Sequence, residues 1–372
     1  MAESRRRILF VIPSLGGGGA ERVIATLLRY LDRSKFQLTL AVIDTRKAVH
    51  RDAIPEDVEF IDLKCERVRY ALPKIVQLIW QRRPDVVFST LGHLNLALAI
   101  IRPLLPDGVR YLARETSIVS EIIRRYRRPE LWRWAYRHFY GRFDKVVCQS
   151  YYMRDDLVES FAFPKDRAVV IHNPVDVERI HQLAEEALIT GFERGGGGGN
   201  EIPVHLLAAG RLSHEKGFDL LITALALCGN PRLRLTILGE GPLRTDLERL
   251  ARDSGVAQQV RFAGFQKNPY PFFAKADAFV MSSRLEGFPN VVLEALACGT
   301  PVIAAPSPGG VKEILERAEG CILAESLTAE GLAQAIQRMP HDAQVPSTVI
   351  EPYRIEGIVN CYAAELFADA VP

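Results

Sequence analysis

Short apolar runs alternate with amphipathic segments along the chain. The apolar runs have the length of buried strands, and segments such as 21–31 and 72–82 repeat apolar residues at helical spacing. This alternation is typical of βαβ units, which build a parallel sheet covered by helices. The strands predicted in the first half span residues 8–12, 38–43, 86–89, 111–114, 146–150 and 168–171.

The pattern changes after Asn173 and Pro174, where a polar helix is followed by five consecutive glycines at 195–199. No packed element favours such a run, which is typical of a flexible loop or linker. A second alternating series then begins. Its strands are predicted at residues 204–209, 233–238, 259–263, 278–281, 301–304 and 320–323.

The chain is therefore predicted to be an α/β protein with two doubly wound domains, which bind ligands at the carboxyl ends of their strands. We assign residues 1–175 to an N-terminal domain, 176–202 to a linker and 203–352 to a C-terminal domain. Residues 353–372 form a last segment, with a helix predicted at about 354–367.

Composition and charge narrow the class of protein. A chain of 372 residues with 48% hydrophobic content is globular. It has no run of 18 apolar residues and no signal-peptide core, so we expect neither a membrane span nor export. Its six cysteines are scattered, so we expect the protein in a reducing cytoplasm. Residues 1–150 carry 27 Lys and Arg against 16 Asp and Glu. This excess predicts an anionic partner, such as a membrane surface or an anionic glycolipid.

Glu286 and Glu294 flank a predicted helix start at Asn290. Pro289 precedes that helix, and the first amides of a helix lack intrahelical partners, so the loop suits an anion such as phosphate. Carboxylates accept hydrogen bonds from sugar hydroxyls, so the pattern indicates a phosphorylated sugar. From spacing alone, two ordinary surface charges are an equal alternative.

Two further loops follow predicted first strands. Gly16, Gly17 and Gly18 lie between a strand and a helix, where a backbone without side chains lets a ligand approach. No register completes the dinucleotide pattern G-x-G-x-x-G, and a permissive turn is the alternative. In the second domain, Arg211 and Lys216 can neutralise a departing diphosphate without a metal. No D-x-D triplet occurs, so we expect no metal and no other cofactor.

Five ordered motifs resemble the retaining glycosyltransferases of family 4, which belong to the group 1 glycosyltransferases. They are GGGAERV, GRLSHEKGFD, ILGEGPLR, FAGF and EGFPNVVLEALACGTPVIA. The resemblance covers nearly the whole chain. It implies the GT-B fold, in which two Rossmann-like domains face each other across a cleft and the last helix crosses back to the N-terminal domain. It also implies a nucleotide-diphosphate sugar donor on the C-terminal domain and an acceptor on the N-terminal domain.

Residue by residue, the resemblance places Arg211 and Lys216 at the diphosphate, Glu286 at the donor sugar and Glu294 at the ribose. Such sites act mainly by stabilising the charge on the departing diphosphate, so Glu286, Arg211 and Lys216 are expected in the catalytic set. The other expected donor-binding positions are Gly16, Gly17, Gly18, Gly210, Gly239, Gly241, Gly264, Phe265, Phe288, Pro289, Asn290 and Val291.

The N-terminal domain departs from the family pattern at Glu115. Several members place a histidine after the fourth strand, where this chain has Arg114 and Glu115. Glu115 is then a catalytic candidate that orients or deprotonates the acceptor, and a loop carboxylate paired with Arg114 is the alternative. His93 follows another strand and is a second candidate for the acceptor pocket.

Residues 124–145 combine seven arginines with several aromatic side chains. One face of a helix beginning at Pro129 either dips into a bilayer or packs on the sheet, and we expect packing for its rear half. The cluster at 124–128 is the better candidate for anionic lipid. No nucleic-acid recognition motif surrounds it, so nucleic acid is not an expected partner. The aromatic residues on the predicted helix face after Pro129 are Trp132, Tyr136, Phe139 and Phe143.

The sequence thus predicts a cytoplasmic, peripherally membrane-associated retaining glycosyltransferase. It would move a sugar from a UDP-sugar to a lipid-linked or polysaccharide acceptor in cell-envelope glycan biosynthesis. Two alternatives stay open: a sugar-nucleotide epimerase with the same architecture, and a non-catalytic nucleotide-sugar-binding subunit.

Overall fold

The computed structural model describes residues 5–16, 18–46, 51–186, 203–340 and 345–368. Gly17 of the predicted glycine loop and the glycine run at 195–199 lie outside the described residues. The chain forms two compact units. The first unit comprises Met1–Pro174 with Glu356–Pro372, and the second comprises Val175–Ile355.

The first unit is built on a parallel sheet. Its strands in the described part of the chain are β1 (Arg6–Ser14), β2 (Phe36–Asp44), β3 (Glu59–Asp62), β4 (Val86–Thr90), β5 (Arg110–Arg114), β6 (Lys145–Cys148) and β7 (Ala168–Val170). They lie in the order β3-β2-β1-β4-β5-β6-β7. The chain changes direction across the sheet between β1 and β4, so the loops after these two strands open a crevice at the carboxyl edge.

Amphipathic helices cover this sheet. Helix α1 shows why they form, since Val23, Ile24 and Leu27 recur at helical spacing and are buried while the opposite face is polar. Helix α5 begins at Pro129, whose missing amide hydrogen costs nothing at the first helical position. The helices before the second unit are α1 (Gly19–Tyr30), α2 (Val68–Arg82), α3 (Gly92–Ile101), α4 (Val119–Arg124), α5 (Pro129–Phe139) and α6 (Tyr151–Phe161).

The second unit repeats the architecture with a smaller sheet. The helices in its described residues are α7 (Val177–Ala184), α8 (Phe218–Cys228), α9 (Arg244–Asp253), α10 (Tyr270–Lys275), α11 (Asn290–Ala297), α12 (Val311–Leu315) and α13 (Ala329–Gln337). Its strands are β8 (Val204–Ala209), β9 (Leu233–Leu238), β10 (Val260–Gly264), β11 (Ala278–Met281), β12 (Val302–Ala304) and β13 (Ile322–Leu323).

These strands are parallel and lie in the order β10-β9-β8-β11-β12-β13. Strand β11 pairs directly with β8, with Ala278 opposite Leu206. The order again reverses between β8 and β11, so the loops after these two strands flank the second crevice.

The predicted elements differ from the structure in two places. The sequence pattern missed β3, because this edge strand is only partly buried and lacks a continuous apolar run. Helix α7 lies inside the predicted linker, yet Val177 and Ile180 are buried in the core of the second unit. The start of that segment therefore packs as part of the second unit.

The last helix, α14 (Ile355–Phe367), packs on the first unit and confirms the expected return of the chain. Nε of Arg114 donates to the hydroxyl of Tyr362 at 3.0 Å. The ring of Tyr362 is fully buried beside Phe88 of β4. Arg110 also forms an ion pair with Glu365 at 3.4 Å. These buried contacts make α14 a structural part of the first unit.

Candidate active site

Lys216 and Glu286 meet at the crevice of the second unit. Lys216 lies in the loop after β8, and Glu286 lies in the loop after β11. Nζ of Lys216 is 2.6 Å from Oε1 of Glu286, which also accepts a hydrogen bond from Oγ of Ser283 at 2.7 Å. Both side chains are mostly buried, with 25% and 13% of their surface exposed. The structure thus brings together two of the predicted catalytic residues.

Three predicted glycines lie side by side next to this pair. The amide of Gly239 donates to the carbonyl of Gly264 at 2.7 Å, and that of Gly210 donates to the carbonyl of Leu238 at 2.9 Å. Gly239 has φ +126°, and a side chain there would collide with the carbonyl of Gly210. The aliphatic part of Lys216 packs over Gly210. The carboxyl ends of β8, β9 and β10 therefore present bare backbone to the crevice.

The other predicted donor residues occupy the same edge of the sheet. Arg211 directly follows Gly210, and its exposed side chain has no hydrogen bond or ion pair among the described residues. Helix α11 begins at Asn290 after Pro289, so its first amides point toward the loop that carries Glu286. Glu294 lies within α11 and is buried.

Three flanking positions contribute differently. Phe288 is buried against Tyr353, with the ring centroids 5.8 Å apart, so its backbone rather than its ring can face the crevice. Phe265 is 71% exposed after β10, next to Gly264. Gly241 packs against the backbone of Leu212, and Val291 is partly buried in the first turn of α11.

In the first unit, a carboxylate lies inside the glycine loop. Oγ of Ser14 donates to Oε1 of Glu21 at 3.1 Å, and Glu21 is buried. A side chain on Gly18 would overlap with this carboxylate, and Gly16 lies beside Ser14. The loop predicted to close over a diphosphate therefore carries a negative group at the start of α1. Sequence reasoning missed this role of Glu21, although Glu21 stands within the GGGAERV motif.

Glu115 is buried beneath the loop that carries His93. Its Oε1 accepts hydrogen bonds from the hydroxyl of Tyr140 and from Nδ2 of Asn95, the latter at 3.2 Å. A Cβ on Gly92 would lie 3.2 Å from Oε2 of Glu115, so the carboxylate sits directly under that glycine. Burial raises the pKa of Glu115 to about 7, although the bonds from Tyr140 and Asn95 act in the opposite direction.

His93 itself is exposed at the start of α3, after β4. Leu91, two residues earlier, has φ +76°, a conformation that is strained for a branched side chain. This turn follows β4, so the His93 segment lies at the crevice edge of the first unit. The structure therefore brings an exposed imidazole and a buried carboxylate to neighbouring loops.

The alternative interpretation, in which Glu115 pairs with Arg114, is not what the structure shows. Arg114 points toward the opposite side of its strand, where Nη2 donates to Oδ1 of Asn173 at 2.6 Å and Nε donates to Tyr362. Successive side chains of a strand face opposite sides of the sheet, which explains the separation. Glu115 is thus held by Asn95 and Tyr140, whose roles sequence reasoning did not identify.

The arginine-rich segment divides as its sequence predicts. Tyr136 and Phe143 are buried, whereas Leu131 and Trp134 are exposed beside the exposed arginines at 124, 125, 127 and 128. No helix within the described ranges has the length and apolar character needed to cross a membrane. The described residues also contain no group of three or more His, Cys, Asp or Glu side chains placed to hold a metal ion.

Two family models match successive parts of the chain. Residues 17–179 match "Glycosyltransferase Family 4", and residues 194–352 match "Glycosyl transferases group 1". The first range falls almost wholly on the unit that carries Glu115, and the second falls wholly on the unit that carries Lys216 and Glu286.

Characterised relatives and solved structures agree with these models. An N-acetylgalactosaminyltransferase of Campylobacter jejuni that acts on a diphospho-undecaprenol-linked sugar is 29% identical over 89% of both chains. The lipopolysaccharide core glycosyltransferase LpsE of Rhizobium meliloti is 38% identical over 44% of this chain and 47% of its own. Anabaena HepE, solved with UDP, is 20% identical, with a TM-score of 0.78 over 97% of this chain and 99% of its own.

The fold and these matches together define a glycosyltransferase of the GT-B class. Both units are doubly wound parallel sheets, as that class requires. Within it, the chain belongs to the group 1 glycosyltransferases.

Proposed function

We propose that this glycosyltransferase transfers a sugar from a UDP-sugar to a lipid-linked or polysaccharide acceptor, with retention of configuration and without a metal ion. The observation that carries the donor assignment is the pair formed by Lys216 and Glu286 at the β8–β11 crevice. In this proposal the Lys216 ammonium binds the diphosphate, and the Glu286 carboxylate, one hydrogen bond away, binds sugar hydroxyls.

Each donor residue has a defined task in this proposal. Lys216 and the exposed Arg211 neutralise the charge that grows on the diphosphate as the glycosidic bond breaks. The free amides at the start of α11 add partial positive charge at the same edge. Glu286 orients the sugar by accepting bonds from its hydroxyls, and Glu294 accepts bonds from the ribose. Because two cations and helix amides compensate the leaving group, the reaction is proposed to need no metal.

The choice of donor and acceptor class draws support from the relatives. HepE has been solved with UDP and with UDP-glucose, and the Campylobacter enzyme acts on a diphospho-undecaprenol-linked sugar and forms an α linkage. An α linkage is what retention gives when the donor sugar is α-linked to its nucleotide. LpsE acts in lipopolysaccharide core biosynthesis. By extension, we propose that the present chain acts in cell-envelope glycan synthesis.

On the acceptor side, Glu115 and His93 are proposed to serve the incoming hydroxyl. His93 is exposed and would contact the acceptor, whereas Glu115 is buried and would act by holding the Gly92 turn or by accepting a proton. A carboxyl whose pKa is near 7 exchanges protons readily at neutral pH. Contact between the exposed arginines of residues 124–128 and anionic lipid would place the enzyme beside a membrane-embedded acceptor.

Thermal unfolding with UDP-, GDP- and ADP-sugars tests the donor assignment. A good donor at high excess should stabilise the protein by about 2 to 4 kcal/mol, and we expect UDP-sugars to do so. Preference for a GDP- or ADP-sugar would overturn the choice of UDP.

A second experiment tests the reaction. UDP should be released only when an undecaprenyl-diphosphate-linked sugar or a polysaccharide acceptor is added, the product should keep the donor's anomeric configuration by NMR, and EDTA should leave the rate unchanged. Conversion of the donor sugar without acceptor would indicate the epimerase alternative. Donor binding without turnover on any acceptor would indicate a binding subunit.

A further inference from the structure

The turn that carries Lys216 is held by the neighbouring loop at three consecutive carbonyl groups. Nη1 of Arg284 donates to the carbonyl of His214 at 2.9 Å, and the backbone amide of Arg284 donates to the carbonyl of Glu215 at 2.7 Å. Oγ of Ser282 donates to the carbonyl of Lys216 at 2.9 Å. One short loop after β11 thus fixes the whole 3₁₀ turn His214–Lys216.

Arg284 is itself fixed by a two-point ion pair. Its Nη1 and Nη2 donate to Oδ1 and Oδ2 of Asp219 at 2.7 and 2.6 Å, which is the parallel geometry that matches guanidinium to carboxylate. Asp219 lies in the first turn of α8, directly after the turn that carries Lys216. Arg284 therefore binds the turn and the helix that follows it with one planar group.

The backbone between these contacts packs closely against the neighbouring loop. Gly217 has φ +63°, and a side chain there would collide with the carbonyl of Ser282. The loop after β8 and the loop after β11 are therefore in direct backbone contact at this point. A shift of the 284 loop would move the origin of the Lys216 side chain, whose ammonium must meet a ligand atom within a few tenths of an ångström.

We infer that Arg284 is a positioning residue, which sets the place of the Lys216 ammonium through the His214–Lys216 turn and the ion pair with Asp219 without touching the donor. This inference rests on the proposed function, because it takes the diphosphate of a UDP-sugar as the group that Lys216 meets. It gives Arg284 and Asp219 a role in donor affinity that their charges alone do not indicate.

A double-mutant cycle with UDP as the probe tests the inference. Calorimetry should show that Arg284→Ala weakens UDP binding by about tenfold, because Lys216 is no longer held at the diphosphate. In a Lys216→Ala background the same change should weaken binding by less than about twofold, since the group that Arg284 positions is gone. Equal losses in both backgrounds would overturn the inference, as would an unchanged affinity of Arg284→Ala.

Graded substitutions sharpen the test. Asp219→Asn leaves both bonds from Arg284 to the turn in place, so it should cost less UDP affinity than Arg284→Ala. Arg284→Lys keeps a positive charge beside Asp219 but loses the two-point guanidinium geometry. Its UDP affinity should therefore lie between those of wild type and Arg284→Ala. The matched control is Arg249→Ala, which removes an exposed ion pair with Asp246 on α9 and should leave UDP affinity unchanged. A reversed order of Asp219→Asn and Arg284→Ala would count against the inference.

Hydrogen exchange of the ligand-free protein separates this inference from the proposed function. Arg284→Ala should speed exchange about tenfold or more in the peptide that spans His214 to Gly217, while peptides of β8 and β11 keep the wild-type rate. Unchanged exchange at the turn would overturn the inference even if UDP binds. If wild type binds no UDP, the proposed donor is wrong, and the exchange measurement still decides whether Arg284 fixes the turn. Faster exchange throughout the second unit would show a general structural role and overturn it.

Discussion

The ammonium of Lys216 lies 2.6 Å from Oε1 of Glu286, so the two groups that we propose to bind the donor bind each other in the ligand-free protein. A diphosphate and a sugar hydroxyl would have to replace this mutual contact. The two charges therefore compensate each other in the absence of a donor. Mutation of either residue should separate its effect on nucleotide binding from its effect on sugar transfer.

Glu286→Gln should divide nucleotide binding from sugar transfer. Removing the carboxylate frees Lys216 for the diphosphate, so UDP affinity should rise by up to about fivefold. The bond from the carboxylate to the sugar is lost, so transfer should fall by about 10- to 100-fold. Calorimetry with UDP and acceptor-dependent UDP release measure the two effects. Weaker binding of UDP by this variant would contradict the assignment of Glu286 to the sugar.

Lys216→Ala and Arg211→Ala should each lower kcat/KM for transfer by about 10²- to 10³-fold, because each removes a cation from the departing diphosphate. Neither change should alter the fold, since Arg211 is exposed and the Lys216 ammonium bonds to a single side chain, that of Glu286. Steady-state rates and circular dichroism check both statements, with Arg249→Ala as the control. Near-normal rates in both variants would remove the diphosphate site from this loop.

Glu115 should make the stability of the protein depend on pH. Its pKa is about 7 in the folded protein against 4.5 when unfolded, so between these values the folded state holds a proton that the unfolded state has lost. Stability therefore falls as pH rises from about 4.5 to about 7 and then levels off. Relative to wild type, Glu115→Gln should gain about 2 to 3 kcal/mol more stability at pH 8 than at pH 5.

Urea unfolding of both proteins at the two pH values measures this difference. Glu130→Gln, which changes an exposed glutamate of the same unit, is the matched control and should show no such pH dependence. A pH-independent difference between Glu115→Gln and wild type would mean that the carboxyl is not held protonated by burial.

The exposed arginines of residues 124–128 should bind anionic vesicles. Each arginine near such a surface contributes about 1 kcal/mol, so replacing all four by glutamine should weaken binding by more than about 10²-fold. Sedimentation with vesicles of phosphatidylglycerol and phosphatidylcholine measures this, and pure phosphatidylcholine gives the background. Equal binding by the variant and wild type would assign any membrane contact elsewhere. A matched control replaces four exposed arginines of the second unit: Arg234, Arg249, Arg252 and Arg261.

The sequence was most informative where local pattern decides structure. The predicted bounds of β8, β9 and β11 and the predicted start of α11 at Asn290 agree with the structure, because each is a compact apolar run bounded by glycine, proline or a polar loop. Strand β3 was missed because a half-exposed edge strand lacks that signal. The return of α14 to the first unit followed from the family resemblance, since an apolar helix alone does not indicate its partner.

Contacts between distant segments could not be predicted from the sequence. Arg284 and Asp219 are 65 residues apart, and they meet only because β11 lies beside β8. Asn95 and Tyr140 reach Glu115 from two separate helical segments in the same way. Three of the five motifs gave a hint, because Glu21 lies in GGGAERV, Asp219 lies in GRLSHEKGFD and Arg284 lies two residues before EGFPNVVLEALACGTPVIA. Their roles depend on geometry that a linear pattern does not contain.

Helix α14 is synthesised after the strands and other helices of the second unit, although Tyr362 and Leu366 fill the interior of the unit that is synthesised first. Until residues 355–367 emerge, Phe88 and Arg114 lack the ring and hydroxyl that cover them. The growing chain must therefore carry an incomplete N-terminal core throughout synthesis of the second unit. Completion of the first unit must therefore wait for synthesis of the second, so a chain that terminates within the second unit also leaves the N-terminal core uncovered.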